Sequence, residues 1–249
     1  MISKDELLDL ARFHRLKPHQ QEKHYLQSIL LNSLYSVTTN ELVFKGGTAL
    51  FFLFGLPRFS EDLDFTIVSS LKKEKLIENV SRDLIALGIL HRIHHVKENN
   101  TSLSFTVGAE GPLFTKEIER NHVRIEISKR ETVMSSFAHE ISSYYPDIPS
   151  FSILAMDNKE ILAEKVRALF SRSYARDLFD IYFLLKKGVI VNKGLIAEKL
   201  KYYAKTFNLD EFKRSINFLE KQWAAELNPF VIGELVKFKD VKKFVLEFF

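Results

Sequence analysis

The chain has 249 residues, 46% of them apolar, so it can bury a core in one large domain or two small ones. It has no cysteine, which excludes disulfides and cysteine-ligated metal sites and fits a cytoplasmic location. The formal charge of +4 arises from many charges of both signs and is too small to indicate nucleic-acid binding by itself. The first residues lack the apolar stretch typical of a signal peptide, and no apolar run reaches the length of a membrane span, so no membrane partner is expected.

The first part of the chain predicts two helices, then a strand, a glycine turn and a short helix. The first helix is expected to begin at Lys4 after the capping residue Ser3, and the second covers about residues 18–35. Residues 42–44 form a short apolar run that ends at a glycine pair, as a buried strand entering a tight turn does. Residues 48–54 are helix-compatible and are followed by glycine and proline stop signals.

This turn has the features of a phosphate-binding site. Gly46 and Gly47 let backbone N–H groups approach a phosphate closely, and the N-terminus of the following helix favours an anion. Thr48 adds a hydroxyl donor, and Lys45 is the charged residue beside the turn. A glycine pair alone is more often an ordinary turn, but followed closely by the Asp-x-Asp motif below it indicates that these four residues bind a triphosphate.

An Asp-x-Asp motif follows at the start of the strand predicted over residues 63–68. Side chains alternate along a strand, so Asp62 and Asp64 point the same way. Two carboxylates on one face repel each other unless a cation lies between them, and hard oxygen ligands suit Mg²⁺ or Mn²⁺. Arg58 and Ser60, in the loop before this strand, could bind phosphate or simply brace the loop.

The rest of the first half predicts a sheet, and the second half is helical. A helix over residues 71–87, a hairpin of 90–97 and 101–107, a strand over 122–128 and a piece of 133–143 give about five or six strands. From Asp157 onward the predicted helices are 158–171, 174–187, 193–206, 210–225 and 231–247. We expect a catalytic domain over residues 1–150 and a helical domain over 151–249 that completes the site.

Glu126 lies between two isoleucines on a predicted strand. Arg124 and Ser128 share its side, so the pattern is equally compatible with a solvent-facing surface and with a site. If it faces a site, its carboxylate could bind metal or accept a proton from the nucleophile.

Charged residues also recur along the helices of the second half. Lys165 and Arg172 are seven residues apart, and Arg176 and Asp180 are four apart, so each pair shares a helix face. Asp177 lies one position round the helix. These residues could form a structural ion-pair network, or Lys165 could stabilise the charge of a triphosphate with Asp180 orienting it.

The quoted motifs together resemble one family. Lys45-Gly46-Gly47-Thr48-Ala49-Leu50, then Arg58-x-Ser60-x-Asp62-x-Asp64, and the Lys165 to Asp180 segment resemble the AbiEii/AbiGii toxins, nucleotidyltransferases of the polymerase-β-like superfamily. The resemblance implies an α+β fold with a mixed sheet, flanking helices and a C-terminal helical bundle. It also favours Glu126 as the third acid. The wider superfamily commonly has serine where Thr48 stands, but threonine is usual in this branch.

The resemblance further implies a toxin that moves a nucleoside monophosphate from an NTP to an acceptor hydroxyl, plausibly RNA and best the 3′ end of tRNA, with a separate antitoxin protein. The implied catalytic residues are Asp62, Asp64, Glu126, Lys165 and Asp180, of which the first three would hold Mg²⁺ or Mn²⁺. The implied nucleotide- and phosphate-binding residues are Lys45, Gly46, Gly47, Thr48, Arg58, Ser60, Arg172, Arg176 and Asp177. Two alternatives remain: nucleotide transfer onto a protein hydroxyl, and a nucleotide-binding regulator without turnover.

Overall fold

The computed structural model describes all residues from Met1 to Phe249 and has an α+β fold built on one seven-stranded sheet. The strands are β1 Leu42–Lys45, β2 Leu63–Ile67, β3 His91–Glu98, β4 Ser102–Ala109, β5 Asn121–Ser128, β6 Ser136–Ile141 and β7 Phe151–Met156. Their order across the sheet is β3-β4-β5-β2-β1-β7-β6. The sheet is mixed, because β2 pairs with β5 and β1 with β7 in parallel, whereas β1–β2, β3–β4 and β4–β5 are antiparallel.

Ten α-helices accompany the sheet. They are α1 Lys4–His14, α2 Pro18–Tyr35, α3 Gly46–Phe54, α4 Lys73–Ala86, α5 Asn158–Ser171, α6 Ala175–Lys186, α7 Lys193–Lys201, α8 Leu209–Phe218, α9 Trp223–Leu227 and α10 Phe238–Leu246. Short 3₁₀ turns cover Glu117–Glu119 and Leu219–Lys221. None of these helices combines the length and the apolar character that crossing a membrane requires.

The chain divides into two compact units. The first comprises Met1–Ala49 and Glu61–Ala155 and contains nearly the whole sheet. Its core lies on one side of the sheet, where the buried residues of β2, β4 and β5 alternate with polar ones and α2 packs against β5. The second unit comprises Leu50–Ser60 and Met156–Phe249, and in it α5 packs against α6, α7 and α8.

The predicted helices of the first half and the first two of the second half are confirmed within about two residues. Ser3 caps α1 in a reciprocal capping box with Glu6, as the sequence indicates. The estimate of five or six strands was too low, because β7 was missed. This strand is a six-residue run, too short for its periodicity to separate it from the start of the helical region.

The last three predicted helices were too long. The helix predicted over 193–206 ends at Lys201, and a 3₁₀ turn interrupts the one predicted over 210–225. The helix predicted from residue 231 begins only at Phe238. The backbone of the preceding residues forms hydrogen bonds with a distant loop instead of a helix. Val231 forms a β-bridge with Arg58, and the Ile232 N–H donates to the Pro57 carbonyl oxygen at 2.9 Å.

Candidate active site

A line of polar residues crosses four neighbouring strands of the first unit. Lys45 on β1 is the register partner of Asp64 on β2, Asp64 is the partner of Glu126 on β5, and Glu126 is the partner of Ser104 on β4. Residues directly opposite each other in a sheet point to the same face. The two acids predicted from separate motifs therefore lie side by side, with a lysine on one flank and a serine on the other. The closeness of Asp64 and Glu126 agrees with their prediction as members of one site, whereas Ser104 was not predicted.

The glycine turn directly abuts the Asp64 carboxylate. Gly46 has φ +76°, and a Cβ atom placed on it would lie 2.5 Å from Asp64 Oδ2 and 3.1 Å from Asp64 Cβ. No other residue type fits here without displacing Asp64, since a real Cβ does not approach another atom so closely. Gly47 follows at the buried start of α3. The structure thus brings the glycine turn and the Asp-x-Asp motif together in one candidate site.

The side chains of two residues predicted to bind phosphate interact with other residues of the protein. The Thr48 hydroxyl, fully buried, donates to the backbone carbonyl oxygen of Asp62 and so braces the start of β2. Lys45 Nζ lies 2.8 Å from Glu131 Oε2 in a buried ion pair. Glu131 was not anticipated, because it lies in a polar segment after β5 with no pattern of its own.

The three predicted metal ligands differ in their surroundings. Asp62 is exposed, Asp64 is half-buried, and Glu126 is half-exposed with its Oε2 2.9 Å from Arg124. No three His, Asp or Glu side chains converge closely enough to form a metal cage. Asp62 and Asp64 nonetheless suit Mg²⁺, which is commonly bound by one or two carboxylates with the remaining ligands supplied by water and substrate phosphates. Half-exposed ion pairs are weak, so Arg124 holds Glu126 only loosely.

The second unit holds a separate buried cluster of charges. Arg58 donates to both carboxylate oxygens of Asp180, from Nε at 2.7 Å and from an η nitrogen at 2.6 Å. Lys165 Nζ lies 2.8 Å from Asp180 Oδ2 and 3.0 Å from Asp177 Oδ1. Asp180 is completely buried, and the Arg58 side chain is 2% exposed. The structure therefore joins three residues predicted in the helical half to one predicted in the loop before β2.

Ionisation of this cluster is set by opposing effects. Burial acts against charge on Lys165, but Asp180 and Asp177 outweigh it and hold its pKa above the usual value. Burial likewise opposes charge on Asp177, but Lys165 and Arg172 outweigh it and lower its pKa to about 2. Lys165 and Asp177 are consequently charged near neutral pH, as mutual pairing of buried ions requires.

The remaining predicted residues of the second unit lie around this cluster or in the loop. Arg172, about half exposed, donates from Nε to Asp177 Oδ2 at 2.9 Å. The Arg176 guanidinium lies 5.4 Å from the centre of the Phe230 ring. Ser60 is half-buried in the loop that contains Arg58. Arg172 is thus joined to the cluster through Asp177, whereas Arg176 stacks on an aromatic ring.

Solved structures with a similar fold include two that are described as nucleotidyltransferases. A protein from H. pylori described as a nucleotidyltransferase aligns with a TM-score of 0.64 at 21% identity, covering 94% of each chain. JHP933 from Helicobacter pylori aligns at 0.61 and 22% identity over 94% of this chain and 91% of its own. MenT4, a nucleotidyltransferase toxin from Mycobacterium tuberculosis H37Rv, aligns at 0.54 and 19% identity over 89% and 73%. These similarities establish the fold.

Family membership rests on the sequence. No curated protein matches the chain. The model of the family described as nucleotidyl transferase AbiEii toxin of type IV toxin–antitoxin systems matches residues 29–243, most of the chain, including the glycine turn, both aspartates and the buried cluster. The chain therefore belongs to the AbiEii family of nucleotidyltransferase toxins.

Proposed function

We propose that this nucleotidyltransferase moves a nucleoside monophosphate from an NTP to a hydroxyl of RNA, with the 3′ end of tRNA as the best candidate, and that it requires Mg²⁺ or Mn²⁺. The observation that carries the proposal is the contact of Gly46 with the Asp64 carboxylate, with Glu126 in register beside it. A phosphate-binding turn and two neighbouring acids are what in-line nucleotidyl transfer needs.

Each candidate residue of the first unit would have a distinct role in the reaction. Backbone N–H groups at Gly46 and Gly47, at the N-terminus of α3, would bind the triphosphate. Asp62 and Asp64 would hold the cation, which when bound neutralises phosphate charge and lowers the barrier to displacement. Glu126, beside Asp64, would accept the proton of the attacking hydroxyl. The Thr48 hydroxyl would keep Asp62 in place through its hydrogen bond to the Asp62 carbonyl oxygen.

For the second unit we propose that Lys165 supplies positive charge to the triphosphate and that Asp180 orients it. The support is the 2.8 Å contact between them and the raised pKa of Lys165, which keeps the ammonium charged. Arg58, Ser60, Arg172, Arg176 and Asp177 would assist in binding the nucleotide. Asp177 Oδ1 also lies 3.0 Å from Lys165 Nζ, so both acids would position the lysine.

The test is transfer of label from α-³²P-labelled NTPs to total RNA and to purified tRNA in the presence of Mg²⁺. We expect the tRNA to become labelled by α-³²P-labelled NTP and to remain unlabelled when γ-³²P-labelled NTP is used instead. EDTA should abolish the transfer. Asp64→Asn should lower the rate by roughly a hundredfold or more, since it removes a cation ligand without changing shape. Asp9→Asn, which changes an exposed acid on α1, is the matched control and should retain full activity.

Two alternatives would be distinguished by the same experiment. Label that resists ribonuclease and is removed by protease would identify a protein hydroxyl as the acceptor. Binding of an NTP without transfer to any acceptor would identify a regulator. The family also implies an antitoxin, which we propose is a separate protein encoded beside this chain.

A further inference from the structure

One side of β4 and β5 is polar and open. On β5 the residues at positions 121, 123, 125 and 127 are buried, whereas His122 and Arg124 are exposed and Glu126 is half-exposed. The helix α2 covers the buried side, where the Asn121 side-chain amide donates to the His19 carbonyl oxygen at 3.2 Å. The even-numbered side of β5 is therefore a free surface that continues from Glu126, the proposed proton acceptor.

The strand register extends this surface across β4 and β3. Arg124 is opposite Thr106, which is opposite His94, and His122 is opposite Gly108, which is opposite Arg92. We call the residues His122, Arg124, Thr106, His94 and Arg92 the β3–β5 face. Successive same-side residues on a strand are about 6.6 Å apart, so the face reaches some 13 Å from Glu126 along β5.

The cations of the face are available to an anionic ligand. The Arg92 side chain is 71% exposed, and its one acidic neighbour, Glu117, lies 3.8 Å away. Arg124 pairs with Glu126 at 2.9 Å, but both side chains are about half exposed, so the pair is weak and can be exchanged. The two arginines therefore lie on the same open surface of the sheet as Glu126.

Between the arginines the face carries the imidazole rings of His94 and His122. A Cβ atom on Gly108 would lie 2.9 Å from His122 Cε1, so the imidazole lies directly across this glycine. The rings of His94 and His122 are 5.3 Å apart with an angle of 31° between their planes. Burial, followed by the neighbouring His94, lowers the pKa of His122, so the ring is neutral at pH 7.

We propose that a single-stranded RNA segment of the acceptor lies along the β3–β5 face, with its phosphates on Arg124 and Arg92, a base stacked on His122 and its terminal hydroxyl directed towards Glu126. Cations beside the exposed ring of His122 suit a single strand, whose bases are free to stack while its backbone meets positive charge. This inference rests on the proposed function, because it places the acceptor of that reaction.

The test is a binding measurement that needs no turnover. Fluorescence anisotropy follows a 5′-labelled oligoribonucleotide with a free 3′ hydroxyl, in EDTA without NTP, over a series of salt concentrations. Removing two phosphate contacts in Arg92→Ala/Arg124→Ala should raise Kd and reduce the slope of log K against log salt by about 1.4, since each contact to a single strand contributes about 0.7. His122→Ala should weaken binding about fivefold or more with an unchanged slope.

The matched control is Arg12→Ala, which removes an exposed arginine that also pairs with an acid, Asp9, but lies on α1. It should leave both Kd and slope as in the wild type. In the transfer assay the double variant should raise KM for RNA and leave KM for the NTP unchanged, a separation that general destabilisation would not produce.

The outcomes separate this inference from the proposed function. Equal salt slopes for the wild type and Arg92→Ala/Arg124→Ala would overturn the placement of the acceptor. Transfer to a protein without binding of the oligoribonucleotide would also overturn it while leaving nucleotidyl transfer intact. Arginine-dependent binding of the oligoribonucleotide without transfer would support the β3–β5 face and refute the proposed reaction.

Discussion

Replacing Gly46 by alanine tests whether the glycine turn and Asp64 act as one site. Gly46 has φ +76°, and holding an alanine in this left-handed region costs about 1–2 kcal/mol. The new Cβ would also lie 2.5 Å from Asp64 Oδ2 and 3.1 Å from Asp64 Cβ. The carboxylate can rotate, but Asp64 Cβ is fixed to β2, so the strand or the turn must move as well. We expect Asp64 to leave the position in which it serves the reaction.

The size of the effect follows from these two contributions. Backbone strain of this magnitude lowers Tm by a few degrees in a chain of this size, at about 2–4 °C per kcal/mol. Displacement of a reacting group by about 1 Å costs roughly a hundredfold in rate. Gly46→Ala should therefore remain folded at 25 °C and lose about two orders of magnitude in transfer of α-³²P label.

A second glycine provides the control. Gly88 has φ +71°, close to that of Gly46, but an added Cβ would meet nothing within 4 Å. Gly88→Ala should lose a similar amount of stability in thermal melts and keep its transfer rate. If Gly46→Ala and Gly88→Ala transfer nucleotide equally fast, the contact between the turn and Asp64 has no catalytic importance and the proposed site is wrong.

Three further predictions concern groups inside the two units. Asp180→Ala leaves Arg58 and Lys165 buried without their shared partner and should lower the free energy of unfolding by about 3–5 kcal/mol in urea titrations; an unchanged midpoint would contradict the buried network. Thr48→Val removes the hydroxyl bound to the Asp62 carbonyl and should cost about 1 kcal/mol, with a fall in transfer rate as the second readout; full activity would show that Asp62 needs no such brace. Burial lowers the pKa of His24 to about 3 from 6.5. As the pH falls, His24 is protonated in the unfolded chain before it is protonated in the folded one. The free energy of unfolding therefore has its full value above pH 6.5 and decreases between pH 6.5 and 3, by about 2 kcal/mol at pH 5. His24→Gln should flatten this part of the unfolding profile, and identical profiles for the two proteins would refute the assignment.

Local signals in the sequence predicted most of the fold. The capping serine and the helical periodicity placed α1 and α2, and the glycine pair marked the junction of β1 and α3. Local sequence patterns did not predict the conformation of segments that pair with backbone far away in the chain. The residues before α10 look helical in sequence, but Val231 bridges to Arg58 instead.

The residues proposed for the site were chosen from local sequence patterns, but several of their pairings in the structure were not predicted. The Asp-x-Asp spacing alone indicated that Asp62 and Asp64 share a face. By contrast, Arg58 and Asp180 are 122 positions apart and Lys45 and Glu131 are 86 apart, so no spacing rule could join them. Such contacts depend on the topology of the whole chain, which a single sequence does not encode in any local pattern.

The division of the chain into units has a consequence for its inheritance. Leu50–Ser60 belongs to the second compact unit, although the chain on either side of it belongs to the first. A stop codon near residue 155 would leave Arg58 without Asp180, its buried partner. Recombination cannot exchange the helical half as a self-contained module, because eleven residues encoded upstream would have to be exchanged with it. The two halves of this toxin should therefore be inherited, and lost, together.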